Sequence, residues 1–203
     1  MFVVTQDPSP AGATRDRGVT FIPSLGLNGC TGDRCENLAP MLHLRFNPGF
    51  RVLRFLQTGI HAAFLFQGPL FGHSGTRTEL WDFLVGPEVR GILPVKRIDI
   101  WLGIAFGYMH RRRLIDSGGH EQRAYAHAIG LAWGAGVDAF LVPGRFALGG
   151  DVWIYRGWNR EFCSTTGEND KICSTASNVD KGTGFSIAVG ASVTFFFAVG
   201  GAR

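Results

Sequence analysis

Eight stretches of this chain place an apolar residue at every second position, and that period constrains the fold more than any other feature. They run over residues 19–27, 38–46, 53–66, 80–93, 98–108, 124–141, 146–155 and 184–197. In the fifth, Ile98, Ile100, Leu102, Ile104, Phe106 and Tyr108 alternate with Asp99, Trp101, Gly103, Ala105 and Gly107. A two-residue period gives a β-strand with one bulky apolar face. Tight turns are expected at Asn47-Pro48-Gly49, at Pro94 and at Pro143-Gly144. Long polar segments join the strands at the other end. This rhythm predicts an all-β, antiparallel up-and-down barrel of eight strands.

The direction of the bulky face decides between two barrels. A soluble ligand-binding barrel turns that face inward. Here the opposite face holds Gly, Ala, Ser, Asp, Glu, Arg and His, which would make a poor core for a soluble barrel. The bulky face is therefore expected to point outward, into lipid. A spanning strand needs about 9 to 11 residues, and only a closed barrel leaves no unpaired backbone there. Residues 183–202 are uncharged and long enough for one helix, but their Gly content and their alternation of β-branched and aromatic residues favour a strand. The net charge of +4 has no basic stripe behind it, so no nucleic-acid partner is expected.

Short turns at one end and long loops at the other resemble the small eight-stranded bacterial outer-membrane barrels, typified by the transmembrane domain of outer-membrane protein A and by outer-membrane protein X. The resemblance covers roughly residues 19 to 197 and rests on architecture. It implies a bacterial outer-membrane location, a periplasmic N-terminus and outward loops at about 29–37, 67–79, 109–123 and 157–183. Residues 1–18 read as a flexible polar tail and residues 19–203 as the barrel. Met1 to Val4 is too short for the apolar core of a secretory leader, so a mature form is expected.

The four cysteines fall in outer loops, Cys30 and Cys35 in the first and Cys163 and Cys173 in the fourth. Neither pair has Cys-x2-Cys zinc spacing, so disulfides are expected. Pairing within each loop is favoured. Cross-linking of the two loops stays open, because closure makes the first and last strands neighbours.

Arg45, Glu88, Arg90, Asp99, Asp138 and Asp151 occupy inward positions. Charges inside a narrow barrel must pair, and eight strands leave room only for side chains. A salt-bridged plug is therefore expected, with an ion pathway as the alternative. Trp101, Trp153 and Tyr155 are expected to lean into the space left by Gly and Ala on strands five and six; a shallow apolar pocket is the alternative. His43 and His61 face inward, while His127 faces lipid. No Ser-His-Asp spacing emerges, and no phosphate loop or metal cluster appears. Neither enzymatic activity nor a cofactor is expected.

Arg111, Arg112 and Arg113 lie in the expected third loop, above the girdle residue Tyr108. Guanidinium groups there would bind lipid phosphates bidentately, making membrane lipid, including lipopolysaccharide, the expected partner. Loop 157–183 is the expected surface for an external protein. Two function classes follow: a structural or interaction scaffold on a rigid membrane body, and a narrow transporter for ions or small apolar solutes.

Overall fold

The computed structural model describes residues 17–31, 38–69, 76–117, 120–142, 144–166, 170–175 and 185–199. Its strands are β1 (Gly18–Thr31), β2 (Leu38–Leu53), β3 (Leu56–Pro69), β4 (Thr76–Val95), β5 (Ile98–Ser117), β6 (His120–Val142), β7 (Phe146–Thr166), β8 (Asp170–Thr175) and β9 (Phe185–Ala198). Each long strand pairs antiparallel with the next, and β9 pairs with both β7 and β1, closing the ring. β8 pairs with β7, so the barrel itself has eight strands and β8 is an appendage. Within the segment considered as a helix, residues 185–198 form strand β9, whose neighbours at both edges satisfy its backbone.

The alternation sets the two faces. Leu102, Leu27, Leu93 and Phe197 point outward and are 60–70% exposed, whereas Trp101, Ala105, Trp153, Ala188 and Phe196 are buried inside. Exposed apolar surface on this scale, continuous around a closed ring, requires lipid. Residues 98–108 of β5 span roughly 25 Å along the barrel axis at ~3.3 Å per residue and ~40° tilt, the height of an apolar membrane band.

Six of the described prolines lie within strands, and three of them mark gaps that leave the register unchanged. The pairing is interrupted opposite Pro23, Pro48 and Pro87 and resumes in the same register beyond each. Proline has no N–H to donate to a ladder. At Pro48 the defect is repaired: Asn47 Nδ2 donates to the Ile60 carbonyl at 2.9 Å, taking the place of the missing backbone donor. The expected turn at Asn47-Pro48-Gly49 is therefore corrected to a part of strand β2, which turns instead at Arg54-Phe55, where Leu53 faces Leu56. The second turn is Lys96-Arg97, with Lys96 at φ 53°; the third contains Gly144 at φ 67°, beside Pro143, which lies outside the described residues.

Two further corrections concern the outer side. β5 continues to Ser117 and β6 starts at His120, so the expected loop 109–123 is mostly strand, as is the first part of loop 157–183. Strands β4 to β8 therefore stand well above the lipid band as a curved wall, while β1 ends at Thr31 and β9 begins at Phe185. The expected tail 1–18 lies outside the described residues as far as residue 16.

Candidate functional site

The barrel interior holds a connected polar network. Arg45 Nη2 donates to Asp151 Oδ2 at 2.7 Å, and Ser24 Oγ donates to the same oxygen at 3.2 Å. Glu88 is bound by Arg90, by Asn47 Nδ2 at 2.9 Å and by His61 Nδ1 at 2.6 Å. Arg51 Nη1 meets Asp99 Oδ2 at 2.7 Å beside the short turns, and Arg51 also donates to the Arg54 carbonyl. All six inward ionisable residues singled out from the sequence are buried. Arg45 with Asp151 and Arg90 with Glu88 form ion pairs; Asp99 pairs with Arg51, and Asp138 faces Asp99 across the β5–β6 ladder.

Arg51, Asn47 and Gln57 complete this network and were not singled out beforehand. Ending the second strand at Phe46 hid the first two. Parity would have found them, since Arg45, Asn47 and Arg51 continue one inward phase.

Aromatic rings are interleaved with the ion pairs, Trp101 standing two residues from Asp99 on β5 and Trp153 two residues from Asp151 on β7. Trp153 and Tyr155 are fully buried and Trp101 nearly so. The Arg90 guanidinium lies 4.2 Å from the Trp101 ring centre, and that of Arg45 lies 5.2 Å from Trp153. His43 Nε2 is 3.0 Å from the Tyr155 hydroxyl. The small residues of β6 make room for the indoles: a Cβ on Gly134 would come within 2.7 Å of Trp153 ring atoms, and one on Gly136 within 2.7 Å of Trp101. The space left by Gly and Ala is thus occupied by tryptophan.

Strand geometry divides the arginine run. Arg111 points inward, its Nη2 3.5 Å from Asp82 Oδ2; Arg113 shares that phase; Arg112 is exposed on the outer face. The three do not form one lipid-facing cluster, because neighbouring residues of a strand face opposite ways. Instead, β7 carries a lipid-side arginine that the sequence reading did not single out. Arg156 lies between Ile154 and Trp158 on the outward row, with its guanidinium 5.2 Å from both the Trp158 and Phe185 ring centres.

On the outer wall, Cys163 of β7 faces Cys173 of β8 and the two form a disulfide. The expected loop is here a braced hairpin. Cys30, at the end of β1 rather than in a loop, is also disulfide-bonded, while its expected partner Cys35 lies outside the described residues. Mass spectrometry of unreduced peptides should find no free thiol, and reduction should loosen the β7–β8 hairpin while the far-UV β-signal of the barrel persists. Alkylation of any of the four cysteines before reduction would contradict this.

No family model and no curated relative matches the sequence. Solved structures do match in fold. A major outer membrane protein of Thermus thermophilus aligns with TM-score 0.66 at 12% identity, covering 89% of this chain and 99% of that one. Neisserial surface protein A aligns with TM-score 0.59 at 15% identity, covering 89% and 97%. Ail, the attachment invasion locus protein of Yersinia pestis, aligns with TM-score 0.52 at 12% identity, covering 90% and 99%. By its closed ring, its lipid-facing belt and these alignments, the chain has the fold of the small eight-stranded barrels of bacterial outer membranes.

Proposed function

We propose that the chain is an outer-membrane scaffold with a closed lumen, which presents its disulfide-braced outer wall to an external partner. The observation that carries this reading is the interior network, in which the Arg45–Asp151 and Arg51–Asp99 pairs lie across a lumen that the Arg90–Glu88 pair of β4, Trp101 and Trp153 also fill. An ion passing along the axis would have to break pairs whose members are almost wholly shielded from water. That is costly in a low-dielectric interior. The same burial argues against catalysis there, since His61 and Glu88 reach neither solvent nor lipid.

The outer wall suits an interaction surface. The Cys163–Cys173 bridge fixes a hairpin that carries Ile172, 69% exposed beside the disulfide. A rigid, partly apolar tip pays little ordering entropy on binding. Toward the membrane, Arg156 clasped by Trp158 and Phe185 is placed to reach an outer-leaflet phosphate, such as that of lipopolysaccharide, with Arg112 higher on the same side.

A narrow conduit is the second reading. Arg45 Nε and Nη1, Asp138 Oδ1 and Asp151 Oδ1 are buried without a protein hydrogen-bond partner, and such atoms are places for water. Planar-bilayer recording separates the two. The scaffold reading expects no stable open level from the purified barrel, and reproducible single-channel steps that change with substitution of Arg45 or Asp151 would overturn it.

A further inference from the structure

The outer rim carries an arrangement of imidazoles that neither the scaffold role nor the lipid contact uses. His110 of β5 and His127 of β6 lie directly opposite each other in the ladder. Both are on the outward face, one step above Tyr108, hence just outside the apolar band. Their ring centres are 5.2 Å apart. With metal–nitrogen bonds of about 2.0–2.1 Å, two imidazoles bound to one tetrahedral ion place their ring centres roughly 5 Å apart. The pair is therefore already spaced for chelation.

The surroundings fix one of the two rings. The Tyr108 hydroxyl lies 2.5 Å from His127 Nδ1, which occupies that nitrogen and leaves Nε2 for a ligand. A bound partner on the remaining ring nitrogen is what usually orients a metal-ligating histidine. On the far side of His127, Glu161 of β7 faces it in register and is exposed. The row His110, His127, Glu161 thus runs across three adjacent strands and offers two imidazole nitrogen donors beside a carboxylate, whose Oε1 lies 3.8 Å from Cys163 Sγ.

We propose that this row is a surface site for a divalent transition-metal ion, with His110 and His127 as the two anchoring ligands and Glu161 as the third. Imidazole and carboxylate donors suit zinc and copper, and the general affinity order puts Cu²⁺ above Ni²⁺ and Zn²⁺. Calcium and magnesium, which prefer all-oxygen shells, are excluded by the donor set. The rigid strands hold the two histidines in place, so little ordering is lost on binding.

The test uses untagged, full-length protein folded in zwitterionic detergent and titrated with Cu²⁺ or Zn²⁺ by calorimetry. One equivalent should bind, and binding should weaken at least tenfold in His110→Ala and again in His127→Ala. Glu161→Gln should weaken it less. Electron paramagnetic resonance of the copper-loaded protein should show hyperfine coupling to two nitrogens, reduced to one in each single variant. Each variant is checked for the parent β-signal by circular dichroism, and both positions are outward, so the barrel core is untouched. Binding that survives unchanged in the double variant would move the metal to another histidine and overturn the site. Absence of binding above the level of the double variant would overturn it equally.

Discussion

Replacing Asp151 with Ala should destabilise the barrel by about 3–5 kcal/mol, the usual cost of leaving a buried charge without its partner. Both side chains of the Arg45–Asp151 pair are wholly buried, and Asp151 also accepts from Ser24. Removal of the carboxylate strands the Arg45 guanidinium against the face of Trp153, 5.2 Å away. That cation–π contact is already present in the parent, so it offers nothing new to offset the lost pairing. Double replacement, Arg45→Met with Asp151→Leu, removes both charges at similar volume and should recover most of the loss. Urea-driven unfolding from lipid vesicles reads both. A cost below about 1 kcal/mol for Asp151→Ala would mean that water already solvates the arginine, and the closed-lumen reading would fall with it.

The phase of the strands was legible because lipid enforces it. Wherever one face meets hydrocarbon and the other a packed lumen, each residue must match its side, as Ile98 to Tyr108 does. The fit of Trp101 and Trp153 over glycines of β6 was legible for the same reason: bulky inward residues on one strand need small ones opposite. Strand length was not legible. Above the membrane both faces meet water, so nothing forces alternation, and Arg111 to Ser117 reads as a loop although it is paired throughout. The turn assigned to Asn47-Pro48-Gly49 failed on a different point. Composition there is that of a turn, but Asn47 makes Pro48 tolerable within a ladder by supplying its own amide. Arg156 escaped notice because a single charge on a lipid-facing row breaks the pattern; only its aromatic neighbours explain it, and Phe185 is remote in sequence.

The orientation of the barrel has its own decisive variant. Leu102→Arg should cost about 2–4 kcal/mol, the penalty for a lipid-facing arginine at the bilayer midplane. Leu102 is 70% exposed and pairs with Gly91 and Ala135, so no neighbouring side chain shields it from hydrocarbon. It lies near the middle of the Ile98 to Tyr108 row, about as far from either interface as this strand allows, so a guanidinium there must snorkel or thin the bilayer. The penalty should fall with height along the same outward row: smaller at Phe106, and about 0–1 kcal/mol at Leu114, beyond the band. A depth gradient of this shape is a signature of lipid, because in a soluble barrel an exposed leucine at any of these heights would accept arginine within ±0.5 kcal/mol. Refolding titrations into vesicles of defined thickness measure it directly. A flat profile across residues 102, 106 and 114 would show that water, not lipid, covers this face, and the transmembrane assignment would have to be abandoned.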